Sequence, residues 1–172
     1  MYAKKLAFVF CIGLGLSGPV LAAGNPFYVG VKGGTMMVDL SEYDDASSLG
    51  VLLGYRITDD SSGSVAVEAE FTNSSSSDIT VLGKTGNWDI NTFAGYLTYR
   101  TPGNLYLKGK IGFLNEDINV NIVGANISGS DSGLSIGVGG GWKLGTNAAL
   151  ELEYTVIEQD INFLSLGVNF SF

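Results

Sequence analysis

The feature that most constrains this chain is a period of two in hydrophobicity that returns in eight segments between Phe27 and Phe172. It is clearest in the last, Phe163 to Phe172, where Leu164, Leu166, Val168, Phe170 and Phe172 alternate with Ser165, Gly167, Asn169 and Ser171. Such alternation puts large apolar side chains on one face of a strand and small or polar ones on the other. Left at the edge of an open sheet, such a strand exposes unpaired backbone beside a row of apolar side chains, and a closed barrel removes that edge.

The other seven segments carry the same pattern. Phe27 to Val38 sets Val29 and Val31 against Tyr28, Gly30 and Lys32, and Ser48 to Ile57 sets Leu49, Val51, Leu53, Tyr55 and Ile57 against Gly50, Gly54 and Arg56. Val65, Val67, Ala69 and Phe71 oppose Ala66, Glu68, Glu70 and Thr72. Asn87 to Arg100 carries aromatics on both faces, so its facing stays open. Leu105 to Leu114, Leu134 to Leu144 and Leu150 to Val156 complete the eight. The even-numbered connections, Thr58 to Gly63, Thr101 to Asn104 and Gly145 to Asn147, are short turns, and Pro and Gly in the second supply turn dihedrals. Three of the four odd-numbered connections are longer: Asp39 to Ser47, a polar loop Asn73 to Gly86, and Asn115 to Ser132. In the last of these Ile118, Val120 and Ile122 still alternate, as for a hairpin running on above the barrel.

Even strand number, short turns at one end and long loops at the other are the plan of bacterial outer-membrane barrels. Segments of about 9 to 12 residues match the span of a tilted strand across hydrocarbon. A closed sheet is the one sheet that can cross it, because every backbone group must be paired. Trp142, Tyr55, Tyr99 and Tyr154 fall near strand ends on the apolar face, where interfacial girdles sit. The expected fold is all-β, an eight-stranded antiparallel up-and-down transmembrane β-barrel.

Residues 1–22 read as a secretory signal peptide: Lys4 and Lys5 precede the apolar run Leu6 to Leu16, then come Gly18, Pro19 and the small-residue site ending at Ala22. One barrel domain, 23–172, follows. Cys11 lies in the leader, so the remainder has neither cysteine nor histidine. Of 9 basic residues, two belong to the leader, leaving 7 against 17 acidic and a net charge of −10. Nucleic acid is an unsuitable partner. Only 15% of residues are charged, yet mean hydropathy is just +0.26 and no mature apolar run approaches a membrane helix.

The face opposite the apolar one distinguishes a membrane barrel from a lipocalin-like soluble barrel, in which the apolar face lines the interior. Glycines 50, 54, 137, 139 and 141 leave room beside long neighbours: Lys32, Arg56, Lys108, Lys110 and Lys143 against Glu68, Glu70, Glu151 and Glu153. An eight-stranded barrel is only wide enough for side chains to fill. These residues are expected to form an internal salt-bridge network closing the lumen, with solvated charges on a soluble barrel as the alternative.

The terminal strand, with Leu164, Leu166, Val168, Phe170 and last Phe172, resembles the C-terminal assembly signal of bacterial outer-membrane barrels. With FYVGVKGG, VAVEAEF, YLKGKIGF and LELEYT in successive odd-numbered strands, the whole mature chain resembles the small eight-stranded group that includes the OmpA transmembrane domain and OmpX. That resemblance implies the outer membrane as location. It further implies outer-membrane lipid and lipopolysaccharide, the barrel-assembly machinery and periplasmic chaperones as partners, and a monomer. The chain lacks OmpA's periplasmic domain, so cell-wall tethering is not implied.

Three function classes follow. The leading one is non-enzymatic: a closed barrel with an envelope-structural or surface-interaction role through its extracellular loops. Those loops carry Asp39, Glu42, Asp44, Asp45, Asp78, Glu116, Asp117 and Asp131, without the spacing of a calcium loop. The second is a channel for small solutes or a lateral route for apolar molecules. The third is an outer-membrane enzyme; without histidine the usual base is missing, and the pairs Glu68 with Glu70 and Glu151 with Glu153 have lysine partners nearby. No cofactor or metal motif appears.

Overall fold

A computed structural model describes residues 26–38, 44–81, 84–122, 125–158 and 161–172. The expected leader, 1–22, and Asp39 and Glu42 of the expected first loop lie outside the described residues. Nine strands are present among those described: β1 (Phe27–Val38), β2 (Ala46–Asp60), β3 (Gly63–Ser74), β4 (Ser77–Val81), β5 (Lys84–Arg100), β6 (Leu105–Ile122), β7 (Ala125–Lys143), β8 (Ala148–Glu158) and β9 (Ile161–Ser171). Eight form the wall. Every neighbouring pair is antiparallel, β3 pairs directly with β5, and β1 closes the barrel against β9 from Tyr28↔Ser171 to Val38↔Ile161.

The extra strand corrects the expected loop Asn73 to Gly86. Within it β4 folds back on the upper end of β5, from Ser77↔Trp88 to Val81↔Lys84. Only Ile79 and Val81 signal it in the sequence, too short a run to show a period. The connection Asn115 to Ser132 is strand through most of its length: β6 and β7 stay paired from Leu105↔Trp142 to Ile122↔Ala125.

All three short turns bend at a glycine with positive φ, Gly63 (125°), Gly103 (117°) and Gly145 (122°), a conformation that side chains disfavour. Alternation then sorts the wall. Leu49, Val51, Leu53, Leu107, Ile111, Phe113, Ile136, Val138, Leu152 and Leu166 all face outward and are exposed. Outward aromatics gather at the short-turn end, where Phe27 meets Tyr55 edge-on at 4.9 Å and Tyr99 and Trp142 lie on the same belt. Tyr154 sits higher, on β8. The open facing of Asn87 to Arg100 resolves in one phase: Phe93, Leu97 and Tyr99 point out, and Trp88, Ile90, Ala94, Tyr96, Thr98 and Arg100 point in.

Candidate functional site

With the apolar side chains on the outside, the interior holds what chemistry the barrel has, and it is layered. Towards the short-turn end, β1, β3, β5, β6 and β8 each send charged side chains inward at alternate positions. Lys32 Nζ lies 2.5 Å from Glu70 Oε2 and 3.8 Å from Glu153 Oε2. Lys110 Nζ reaches the same two carboxylates, each at 2.9 Å. Lys108 Nζ meets Glu68 at 3.0 Å and Glu151 at 2.9 Å, and also binds Glu153. Arg100 joins Glu68 (2.5 Å) to Glu151 (2.8 Å).

Four cations and four carboxylates therefore form one connected cluster, and each carboxylate touches at least two cations. None of these eight side chains is more than 10% exposed. Removing such charges from water costs several kcal/mol per ion, which only mutual pairing and further hydrogen bonds offset. The extra bonds are there: Tyr28 donates its hydroxyl to Glu68 and Tyr106 to Glu151, both at 2.6 Å. Arg100 Nη1 donates to the Tyr28 hydroxyl at 3.1 Å.

Glycines make the space. A Cβ on Gly54 would stand 2.0 Å from the Tyr28 ring, and one on Gly141 would stand 2.3 Å from the Tyr106 ring. Small residues on one strand thus receive large side chains from its neighbour, which lets a narrow barrel fill without distortion.

Seven of the nine residues read from the sequence as the lumen network meet in this cluster: Lys32, Glu68, Glu70, Lys108, Lys110, Glu151 and Glu153. Arg56 and Lys143 do not. Both occupy the last turns of their strands, where water competes for the charge. Arg56 donates to Ser171 Oγ at 2.6 Å, stands 4.0 Å from Asp59 and is 28% exposed on its side chain. Lys143 is exposed and borders a vestibule of about 190 Å³ at the same mouth. Arg100, the end of the strand whose facing the sequence left open, takes their place; it is in phase with Tyr96 and Thr98, the signal that would have found it.

Above the charges the lumen turns apolar. Tyr96 and Phe163 form the boundary, with Lys110 Nζ 4.3 Å from the first ring and Lys32 Nζ 5.5 Å from the second. Beyond them Met36, Trp88, Ile90, Leu114, Ile157 and Ile161 pack into a single buried cluster. Within the charged layer a cavity of about 10 Å³ beside Lys32, Glu151, Glu153 and Asn169 has room for one water at most. Among the described residues no three His, Cys, Asp or Glu side chains converge as metal ligands. The residues of the expected assembly signal, Leu164, Leu166, Val168, Phe170 and Phe172, lie on the outer face or at its lower edge.

Solved structures share this architecture. The Neisserial surface protein A is 16% identical with a TM-score of 0.68, covering 87% of this chain and 99% of its own. The N-terminal β-barrel domain of Pseudomonas aeruginosa OprF is 20% identical with a TM-score of 0.59, covering 87% and 100%. Ail of Yersinia pestis, in complex with the heparin analogue sucrose octasulfate, is 16% identical with a TM-score of 0.56, covering 85% and 96%. No curated protein sequence matches the chain. The family model for the outer membrane protein beta-barrel domain matches residues 8–172, almost the entire length. This chain belongs to that family, and its place is the cell outer membrane.

Proposed function

We propose that the protein is a non-enzymatic barrel, closed to steady conduction, that acts at the cell surface through an acidic extracellular end engaging cationic partners. The observation that carries this reading is how charge is partitioned. The lumen cluster is neutral, four against four, and the short-turn mouth is neutral as well, with Arg56 and Lys143 against Asp59 and Asp60. The whole net charge of −10 in residues 23–172 therefore belongs to the opposite end. There, by chain position, Asp39, Glu42, Asp44, Asp45, Asp78, Asp89, Asp117, Asp131, Glu158 and Asp160 stand against Lys84 alone, and Glu116 at the same end is turned into the interior and buried. Since the long-loop end of such barrels faces outward, the electronegative field is presented to the exterior.

Closure is supported by the ion-pair cluster, which runs from Lys32 of β1 through Glu70 and Lys110 to Glu153 of β8 and from Arg100 of β5 to Glu151 of β8 above the lower vestibule, and by the apolar plug above it. A catalytic reading finds little support, since the four glutamates of the ion-pair cluster are committed to lysine or arginine and the chain has no histidine. The polyanion bound by Ail has the wrong sign for this surface.

The test combines planar-bilayer conductance with binding of fluorescent polylysine and of heparin to phosphatidylcholine vesicles carrying the folded protein. Polylysine binding that weakens with salt, no heparin binding and no steady current are expected. Stable single-channel steps would move the function to transport, and binding of heparin in place of polylysine would overturn the surface reading.

A further inference from the structure

Among the described residues, the wall opens where β7 outruns its neighbour β8. β7 stays bonded to β6 up to Ala125, but its pairing with β8 ends at Ile136↔Val156. At the end of that ladder the Ser135 hydroxyl donates to the Val156 carbonyl at 2.6 Å, taking an acceptor at the point where the strands separate. β8 also loses regular register between Val156 and Glu158, opposite β9.

The opening is a pocket of about 180 Å³. Its lining draws on two surfaces that are elsewhere kept apart: Leu134 and Val156 from the outer wall, and Leu114 and Ile157 from the buried apolar cluster. Nowhere in a closed, fully paired wall would lipid-facing and interior apolar surfaces become continuous. Glu116 and Asp131, directly opposite each other on β6 and β7, line its upper part, Asp131 exposed and Glu116 buried against the interior. An apolar upper lumen is itself unexpected, because the interior of such barrels is normally polar.

We infer that this seam admits a single alkyl chain from the outer leaflet, whose tail contacts the internal apolar cluster while an uncharged polar head stays at the acidic rim. The occupant is a membrane amphiphile because the pocket is continuous with the wall that contacts lipid. Its head is not anionic because two carboxylates border the rim. The site is distinct from the surface proposed above and does not depend on it.

The two tryptophans provide the test. Trp88 is 1% exposed within the internal cluster, whereas Trp142 faces lipid at the other end. In a Trp142→Phe variant held in phosphatidylcholine vesicles, Trp88 is the only indole. A terminally brominated octanol, a contact quencher, should quench it saturably, and the corresponding brominated octanoate should do so about tenfold more weakly. Gly133 lines the seam, and a Cβ there would meet nothing within 4 Å, so Gly133→Phe can fill the pocket without displacing the backbone. That substitution should reduce the quenching affinity by about tenfold while leaving heat-modifiable gel migration intact. Quenching that is absent, that rises linearly without saturation, or that survives Gly133→Phe unchanged in a folded barrel overturns the inference. Equal quenching by the octanoate overturns its head-group selectivity.

Discussion

At Lys108 one ammonium group meets Glu68, Glu151 and Glu153, so its removal leaves three carboxylates short of a partner in a space that water hardly reaches. Breaking a buried ion pair from one side is costly because the remaining charge is uncompensated. Lys108→Met should therefore destabilise the folded barrel by about 3–5 kcal/mol, read from urea titration in vesicles, and adding Glu68→Gln should return part of the loss. A fall below about 1 kcal/mol would mean that water enters the cluster freely. The charged members of this cluster were legible residue by residue, because strand phase sorts inward from outward and long charges beside glycines need a confined partner. Arg100 was not, since it ends the one segment, Asn87 to Arg100, whose two faces both carry aromatics and so leave the inward phase undecided. Neither were Trp88 and Ile90: their burial depends on closure bringing β5 across from β9, a long-range fact that no local pattern contains.

Strands carry the next level of specification. Seven of the eight wall strands extend beyond their expected ends, β6 and β7 most of all, since polar residues such as Asn119, Asn121 and Ser128 look like loop until their cross-strand partners are known. Ile118 and Val120 keep the inward phase there and pack against the internal cluster, so the weak alternation through that stretch had structural content. Depth within the wall sets what each outward position tolerates. Val138→Arg, in the outward row of the part of β7 that pairs with β8, should cost about 2–4 kcal/mol in vesicles, while Leu144→Arg just past its lower end should cost about 0–1 kcal/mol. Equal costs at both sites would show that β7 does not span the hydrocarbon as its outward row implies. The three turn glycines belong to this scale too, because each fixes the reversal that keeps successive rows in phase.

The assembled molecule is uneven in height. Strands β8 and β9 turn over within a few residues of Val156, whereas β7 continues for the stretch from Ser135 to Ala125, roughly 35 Å of strand, with β6 beside it and the β4 to β5 hairpin next to that. One side of the rim is low and the other stands up like a fin. A fin of that length sets how far from the bilayer the protein can be touched. Because residues 23–172 contain no cysteine, Ser128→Cys supplies a single thiol to that region, near the tip. On cells with truncated surface sugars it should react readily with a membrane-impermeant maleimide, and on cells with long sugar chains the labelling should slow about tenfold or more. Equal rates would place the tip clear of the sugar layer altogether. The unequal strand lengths would then act as a measure of depth in the cell's coat: the same protein is displayed or concealed according to how long the neighbouring polysaccharide has grown.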